Sequence, residues 1–350
     1  IRASTVRHHC MNKTVKNILP IRCLVCLLIS LFLEAAFALN EQFETYSAPQ
    51  SLGMGNALTA DAWGYAALYH NPAGLATFTR KRWELNIVDV EGGIGSGAIG
   101  RAIQKQTLGM YRMFGDLKDH PGTYAHLNLA SVPSFTIRGV GISFIATHTF
   151  AGRSDGATLD TLARQDIGPT LGFARHFAGN VIKLGIAAKF LVRNEMKGRF
   201  NHSDLETDND STFGRHFKEG YGMGANAGAI ISLPNKWLPT IGIAWLDMFN
   251  TRFRPVHVIN SLADGAPDEI PQSFNIAFSI HPVLSRRLKS TFALEYKHLE
   301  INAWPLRKHL HLGVQLEDER SLYFWAGMNR LYMTFGIGYR VRGGNLELGT

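Results

Sequence analysis

Several stretches carry residue types whose spacing could do chemistry. Gly95-Ser96-Gly97-Ala98-Ile99-Gly100 has the spacing of a dinucleotide-binding turn, and Asp116 and Asp119 stand near the position of the ribose-holding acid. That fingerprint works only inside a βαβ unit, where a helix N-terminus faces the pyrophosphate, and no such unit follows. The stretch therefore reads as an outer loop, with 101–114 as a short amphipathic helix. His202-Ser203-Asp204 has the residue types of a hydrolytic triad, but three consecutive residues cannot take up its geometry. His309 and His311 are two apart on a strand, so they share a face and could hold a metal. Two histidines of a wet interior are the simpler reading. The acidic run Asp204–Asp210, with Glu206 and Asp208, lacks EF-hand spacing and reads as a solvated loop. No catalytic residue, cofactor or metal site is assigned, and the chain is not read as an enzyme.

The composition narrows the class of protein that must position these residues. The 350 residues are 45% hydrophobic and only 18% charged, against roughly 25% charged in soluble domains. The first 38 residues stand apart. Residues 1–10 read as translated upstream sequence. Residues 11–38 read as a secretory signal: Met11, then basic Lys13, Lys16 and Arg22, an apolar run Leu24–Leu33, and cleavage after Ala38 in Ala36-Phe37-Ala38. These 38 residues hold five of the 36 basic and one of the 28 acidic residues, so the remainder carries a formal +4. That is no signature of a nucleic-acid partner. Cys10, Cys23 and Cys26 all lie before Leu39, which removes disulfides, thiolate chemistry and zinc–cysteine sites from the rest. All 35 glycines lie after it and make up about 11% of that part, too many for a helical protein.

The remaining sequence alternates with period two. Met333, Phe335, Ile337, Tyr339 and Val341 are interleaved with Thr334, Gly336, Gly338 and Arg340. Leu184, Ile186, Ala188 and Phe190 are interleaved with Lys183, Gly185, Ala187 and Lys189. A soluble sandwich would turn such apolar faces into a core, whereas an outer-membrane barrel turns them to lipid. The export signal, runs of about 9–12 residues and aromatics near strand ends (Tyr323–Trp325, Tyr332, Tyr339) favour the barrel. The expected fold is therefore all-β, an antiparallel transmembrane β-barrel over residues 83–350.

Thirteen strands are expected, near 83–90, 123–138, 141–149, 167–177, 181–193, 219–231, 239–247, 272–281, 288–298, 308–316, 321–329, 332–341 and from 344. Short connections alternate with longer ones at 91–122, 150–166, 194–218, 248–271 and 299–307. An even count of fourteen is expected for closure, so the reading is of a barrel short of its last strand. Lys183, Lys189, Glu295, Lys297, His309, His311 and Arg340 are expected to face the lumen.

Residues 39–82 form the segment before the first strand. They contain Ser47-Ala48-Pro49-Gln50-Ser51-Leu52-Gly53-Met54-Gly55-Asn56-Ala57, then Asp61–His70, then Asn71-Pro72-Ala73-Gly74-Leu75-Ala76. Gly53 and Gly55 suit close backbone approach or positive φ. Leu58–Tyr69 suits a short helix, and Asn71 and Pro72 suit its end. This pattern resembles the N-terminal signature of the FadL-like outer-membrane transporters and the related PorV-type barrels. The resemblance implies a fourteen-stranded barrel in the bacterial outer membrane, with an N-terminal hatch inside it. It makes Gly53, Gly55, Asn71, Pro72, Ala73 and Gly74 candidate hatch or gating residues. It also implies passive, hatch-gated diffusion of hydrophobic small molecules, such as long-chain fatty acids or aromatic compounds. The PorV-type side of the resemblance implies instead a barrel that binds an exported protein through its outer loops. The lipid bilayer is a partner in either case.

Overall fold

The computed structural model describes residues 44–77, 83–86, 91–95, 117–122, 124–203, 213–319, 322–341 and 344–349. The expected leader (1–38), most of the fingerprint stretch with the helix expected over 101–114, and the acidic run Asp204–Asp210 lie outside the described residues.

One antiparallel sheet accounts for nearly all of the described chain. Its segments are β1 (Trp83–Asn86), β2 (Glu91–Gly95), β3 (Tyr124–Ser131), β4 (Ser134–Ile137), β5 (Val140–Ser154), β6 (Thr158–Phe177), β7 (Ile182–Asn201) and β8 (Lys218–Ser232). They continue with β9 (Thr240–Leu246), β10 (Phe253–Pro255), β11 (Ser273–Ile280), β12 (Leu288–Tyr296), β13 (Leu310–Asp318), β14 (Leu322–Asn329), β15 (Tyr332–Val341) and β16 (Gly344–Gly349). Successive crossings of the chain pair with one another, as in a meander. β1 pairs β4 while β2 pairs β3, and both β3 and β4 pair β5, so each couple is one crossing with a break. β10 extends the line of β9 along β8. The described residues thus make thirteen crossings, at the places the alternation marks, in a path from β1 to β16.

Which face is buried decides between sandwich and barrel. The apolar face is exposed: Ile186 is 63% and Phe335 59% accessible. The polar face is buried: Asn226 is 2% and Glu295 0% accessible. Water on the apolar side would cost roughly 25 cal/mol per Å², so that side belongs to lipid. The sheet is a transmembrane β-barrel with a polar, filled interior.

Four expectations need correction. The connection expected over 150–166 is mostly strand, because β5 and β6 run on to a tight turn at Asp155–Ala157. Here the outward side is not lipid-facing. Phe150, Leu159, Ala163 and Met196 pack with Leu117 and Phe217 into a second apolar cluster, which erases the polar/apolar alternation that marks the other strands. The expected loops 194–218 and 248–271 likewise give up 194–201, Lys218 and Phe253–Pro255 to strands. Tyr323 and Trp325 face inward rather than toward a lipid girdle, because each has a polar partner inside: Trp325 Nε1 donates to Gln315 Oε1 at 2.7 Å and Tyr323 Oη to Glu317 Oε1 at 3.3 Å. Tyr339 does point outward, whereas Tyr332, exposed at the strand end, has the parity of the inward-facing Thr334. The helix expected over Leu58–Tyr69 is confined to a 3-10 turn at Gly64–Ala66 and one turn, α2, at Ala67–His70; another single turn, α1, spans Pro49–Gly53. Gly64, at φ +60°, cannot sit inside a right-handed helix and delays its start.

Ile186 lies on the exposed face of β7, about midway across the apolar zone. Ile186→Arg is expected to cost roughly 2–4 kcal/mol in equilibrium folding into liposomes. A change within about 0.5 kcal/mol, as for a water-exposed site, would contradict the lipid-facing assignment.

Candidate functional site

Residues 44–77 occupy the interior, and most of them are buried. Their backbone therefore needs partners, because a buried unpaired amide or carbonyl costs roughly 1–3 kcal/mol. Inward-facing strand side chains supply many of these. Thr334 of β15 accepts from Gly55 N at 2.9 Å and donates to Gly53 O at 3.1 Å. His311 of β13 donates through Nδ1 to Gly55 O at 2.9 Å. Glu295 of β12 accepts from Thr59 N at 2.9 Å and from the Thr59 hydroxyl at 2.6 Å. Asn226 of β8 donates to Leu68 O at 3.1 Å. Gln50 donates to Gln315 at 2.9 Å.

Asn71 reverses the direction of these bonds. Its side-chain amide donates to Thr59 O at 2.8 Å, to Ala229 O on β8 at 3.2 Å and to Ile243 O on β9 at 3.3 Å. Its Oδ1 accepts from Ala73 N at 3.1 Å. One residue thus closes the end of α2, fixes the following Pro72–Thr77 turn and ties both to two strands. Pro72 starts that 3-10 turn, and Gly74 passes so close to the Ala62 carbonyl that no side chain would fit.

The wall yields room at glycines. Three cross-strand pairs, Gly141↔Gly172, Gly185↔Gly228 and Gly313↔Gly327, lie directly beneath this inner segment. A Cβ on any of the six would come under 3.0 Å from it: Leu75 and Leu68 over the first pair, Asn71–Ala73 over the second, Met54–Gly55 over the third. Gly242 makes room for Thr59 and Ala60 in the same way. Sequence reasoning passed over these glycines as spacers between apolar residues. Their signal is that each holds an inward position of an alternating strand.

The charged residues expected in the lumen are buried, and several are paired. Lys189 lies 2.8 Å from Asp247, and Lys297 lies 2.5 Å from Glu44 and 3.8 Å from Glu295. Lys183 donates to Ser232 Oγ at 3.3 Å. His309 donates to Lys297 O at 2.7 Å and stacks on Tyr296 at 4.7 Å, so the two histidines of the expected pair hold different partners. The Arg340 side chain lies outside the described residues. Beyond this set, Arg193 makes two bonds to Asp166, at 2.6 and 2.9 Å, and covers the Phe253 ring. Among the described residues, no three His, Cys, Asp or Glu side chains gather as a metal site.

Two groups of the inner segment are electrostatically shifted. Burial alone would raise Glu44, but the charges of Lys297 and His70 and the hydrogen bonds from Asn56 and Lys297 together outweigh it and hold the carboxyl well below its usual range. Burial and then Lys297 push His70 down to about 4. His70 is therefore neutral at pH 7, and its Nε2 accepts from Ala48 N at 3.4 Å. The rings of Tyr46 and Tyr69 meet edge to face at 5.0 Å beside it.

No family model and no curated protein sequence matches the chain. Solved structures do. A monoaromatic hydrocarbon channel, CymD, superposes with a TM-score of 0.50 at 14% identity, over 86% of this chain and 91% of that one. The Pseudomonas putida toluene transporter TodX gives 0.40 at 10% identity, over 84% and 93%. The first likeness shows the fold: the chain shares the barrel architecture of that channel.

The glycine contacts give a direct test. Gly185→Val forces a side chain against the Pro72–Ala73 backbone, an overpacking of roughly 1–3 kcal/mol. Limited proteolysis is expected to cut the variant within 44–77 while the strands stay protected. Unchanged resistance of that segment would contradict the close seating.

Proposed function

We propose that this protein is an outer-membrane channel for hydrophobic small molecules and that residues 44–77 are its gate. The observation that carries this reading is the way the interior is filled. Hydrogen bonds, the Glu44–Lys297 ion pair, turn contacts and van der Waals seating on glycines hold the inner segment, and no described strand runs through it. Such contacts can be exchanged a few at a time, the neutral hydrogen bonds each worth about 1 kcal/mol net and those to charged groups about 1.5–3. A hydrophobic molecule crossing the membrane needs a displaceable obstruction of this kind and no covalent chemistry. The architecture shared with a monoaromatic hydrocarbon channel supports small aromatic compounds as the substrate class, beside fatty-acid-like amphiphiles.

In this reading the leader is removed after Ala38 and the barrel sits in the bacterial outer membrane. Its short turns face the periplasm and its long connections face outward. Gly53 and Gly55 set the inner segment against β13–β15. Asn71, Pro72, Ala73 and Gly74 form the compact turn that seats it on β7–β9. The paired interior charges (Lys189, Glu295, Lys297) line the polar wall around the gate and carry no free charge for an anion. No nucleic acid, metal or cofactor takes part.

Asn71→Ala removes three donor contacts at once and loosens the turn without touching the lipid face. Proteoliposomes holding this variant are expected to take up radiolabelled toluene several-fold faster than wild type, with the folded barrel still running as a compact band on unheated gels. Unchanged uptake would remove the gate. Failure to assemble would make the segment a structural plug.

A further inference from the structure

The inner segment also meets the wall through Asp61, at the start of the Asp61–His70 stretch. Asp61 Oδ1 lies 2.6 Å from His281 Nε2 and 3.0 Å from the Ser279 hydroxyl. His281 stands in the turn after β11. Its Nδ1 lies 3.0 Å from the carbonyl oxygen of Leu238, in the turn between β8 and β9, and its backbone N–H donates to Trp237 O at 2.7 Å. One side chain thus joins the inner segment to two short turns at one end of the barrel.

The chemistry of the two contacts fixes the state of the ring. A backbone carbonyl only accepts hydrogen bonds, and so does an ionised carboxylate. A neutral imidazole has one N–H and could serve only one of them. Both contacts are made together when both ring nitrogens carry protons. The electrostatics agree. Burial pulls His281 down, but the hydrogen bond and charge of Asp61, with the Leu238 carbonyl, outweigh it and leave it above its ordinary value of 6.5. Lys183 of β7 opposes this and is the other charged group that acts on the pair. His281 and Asp61 are both largely sheltered from water, so salt screens the pair less than an exposed one.

We propose that His281 is a positioning residue for the gate: as an imidazolium it latches Asp61 to the short-turn end of the barrel, and its deprotonation releases that end. The proposal rests on reading residues 44–77 as a gate. A histidine favoured in its charged form in the fold contributes fully below its ordinary pKa of about 6.5, and the contribution is lost as pH rises through the higher folded value. The gate is therefore held in mildly acidic surroundings and loosens toward alkaline ones.

Amide hydrogen exchange on the whole protein in mild detergent tests this without relying on transport. The readout is protection of peptides spanning 56–66, corrected for the intrinsic pH dependence of exchange. Protection in the wild type is expected to fall by roughly several-fold between pH 5.5 and 8.5. His281→Gln and Asp61→Asn are expected to show low protection at every pH, with peptides of β12–β14 unchanged. A flat wild-type profile overturns the latch, even if neither variant folds. An equal pH-dependent fall in His281→Gln assigns the effect elsewhere and also overturns it. If protection falls as expected but toluene uptake is absent at every pH, the latch stands and the transport reading fails.

Discussion

A sheet that gives its outward face to hydrocarbon must solve a polar problem on the inside. The outward positions of β4–β9 and β11–β15 are rich in exposed Ile, Leu, Phe and Met. The inward positions carry many Asn, Thr, Ser, Lys, Glu, His and glycine residues beside some apolar and aromatic ones such as Ile145, Leu191 and Trp325. With lipid outside, these groups find partners only within the lumen. The segment 44–77 provides them, and its own backbone is satisfied in return. Thr334 with Gly53 and Gly55, Glu295 with Thr59, and Asn226 with Leu68 are each one half of that exchange. The rest of the structure depends on this matching of inner segment to wall.

The same constraint explains where glycine falls. An inner segment can approach a strand closely enough for these bonds only where the wall has no side chain. Three cross-strand glycine pairs lie under three different parts of the segment. Part of the high glycine content is thus a property of this interface, beside the part that belongs to turns. A wall with alanine at these places would keep its strands but hold the segment away from its partners.

Much of this is legible in the sequence, for physical reasons that also set the limit. Strands that face lipid on one side and a polar lumen on the other alternate strongly, so the thirteen crossings are read from residues such as Ile186 and Lys183 or Phe335 and Thr334. Where the outward face is packed instead, at Phe150, Leu159, Ala163 and Met196, both faces are buried and the strand reads as loop. Tyr323 and Trp325 look like girdle residues until their partners Glu317 and Gln315, on the neighbouring strand, are known. The motif around Asn71 announces a tight turn through its own chemistry. The contact between Asp61 and His281 spans 220 positions, and nothing in the sequence near either residue points to the other.

The account places a displaceable segment in the path of a hydrophobic molecule, and one measurement addresses that most directly. The protein would be purified from outer membranes in mild detergent, and native mass spectrometry would identify what travels with it. The account predicts a bound hydrophobic small molecule that is lost when the Asn71 turn is altered. A stoichiometric exported protein on an otherwise empty barrel would contradict it, and recovery only in soluble fractions would contradict the barrel itself.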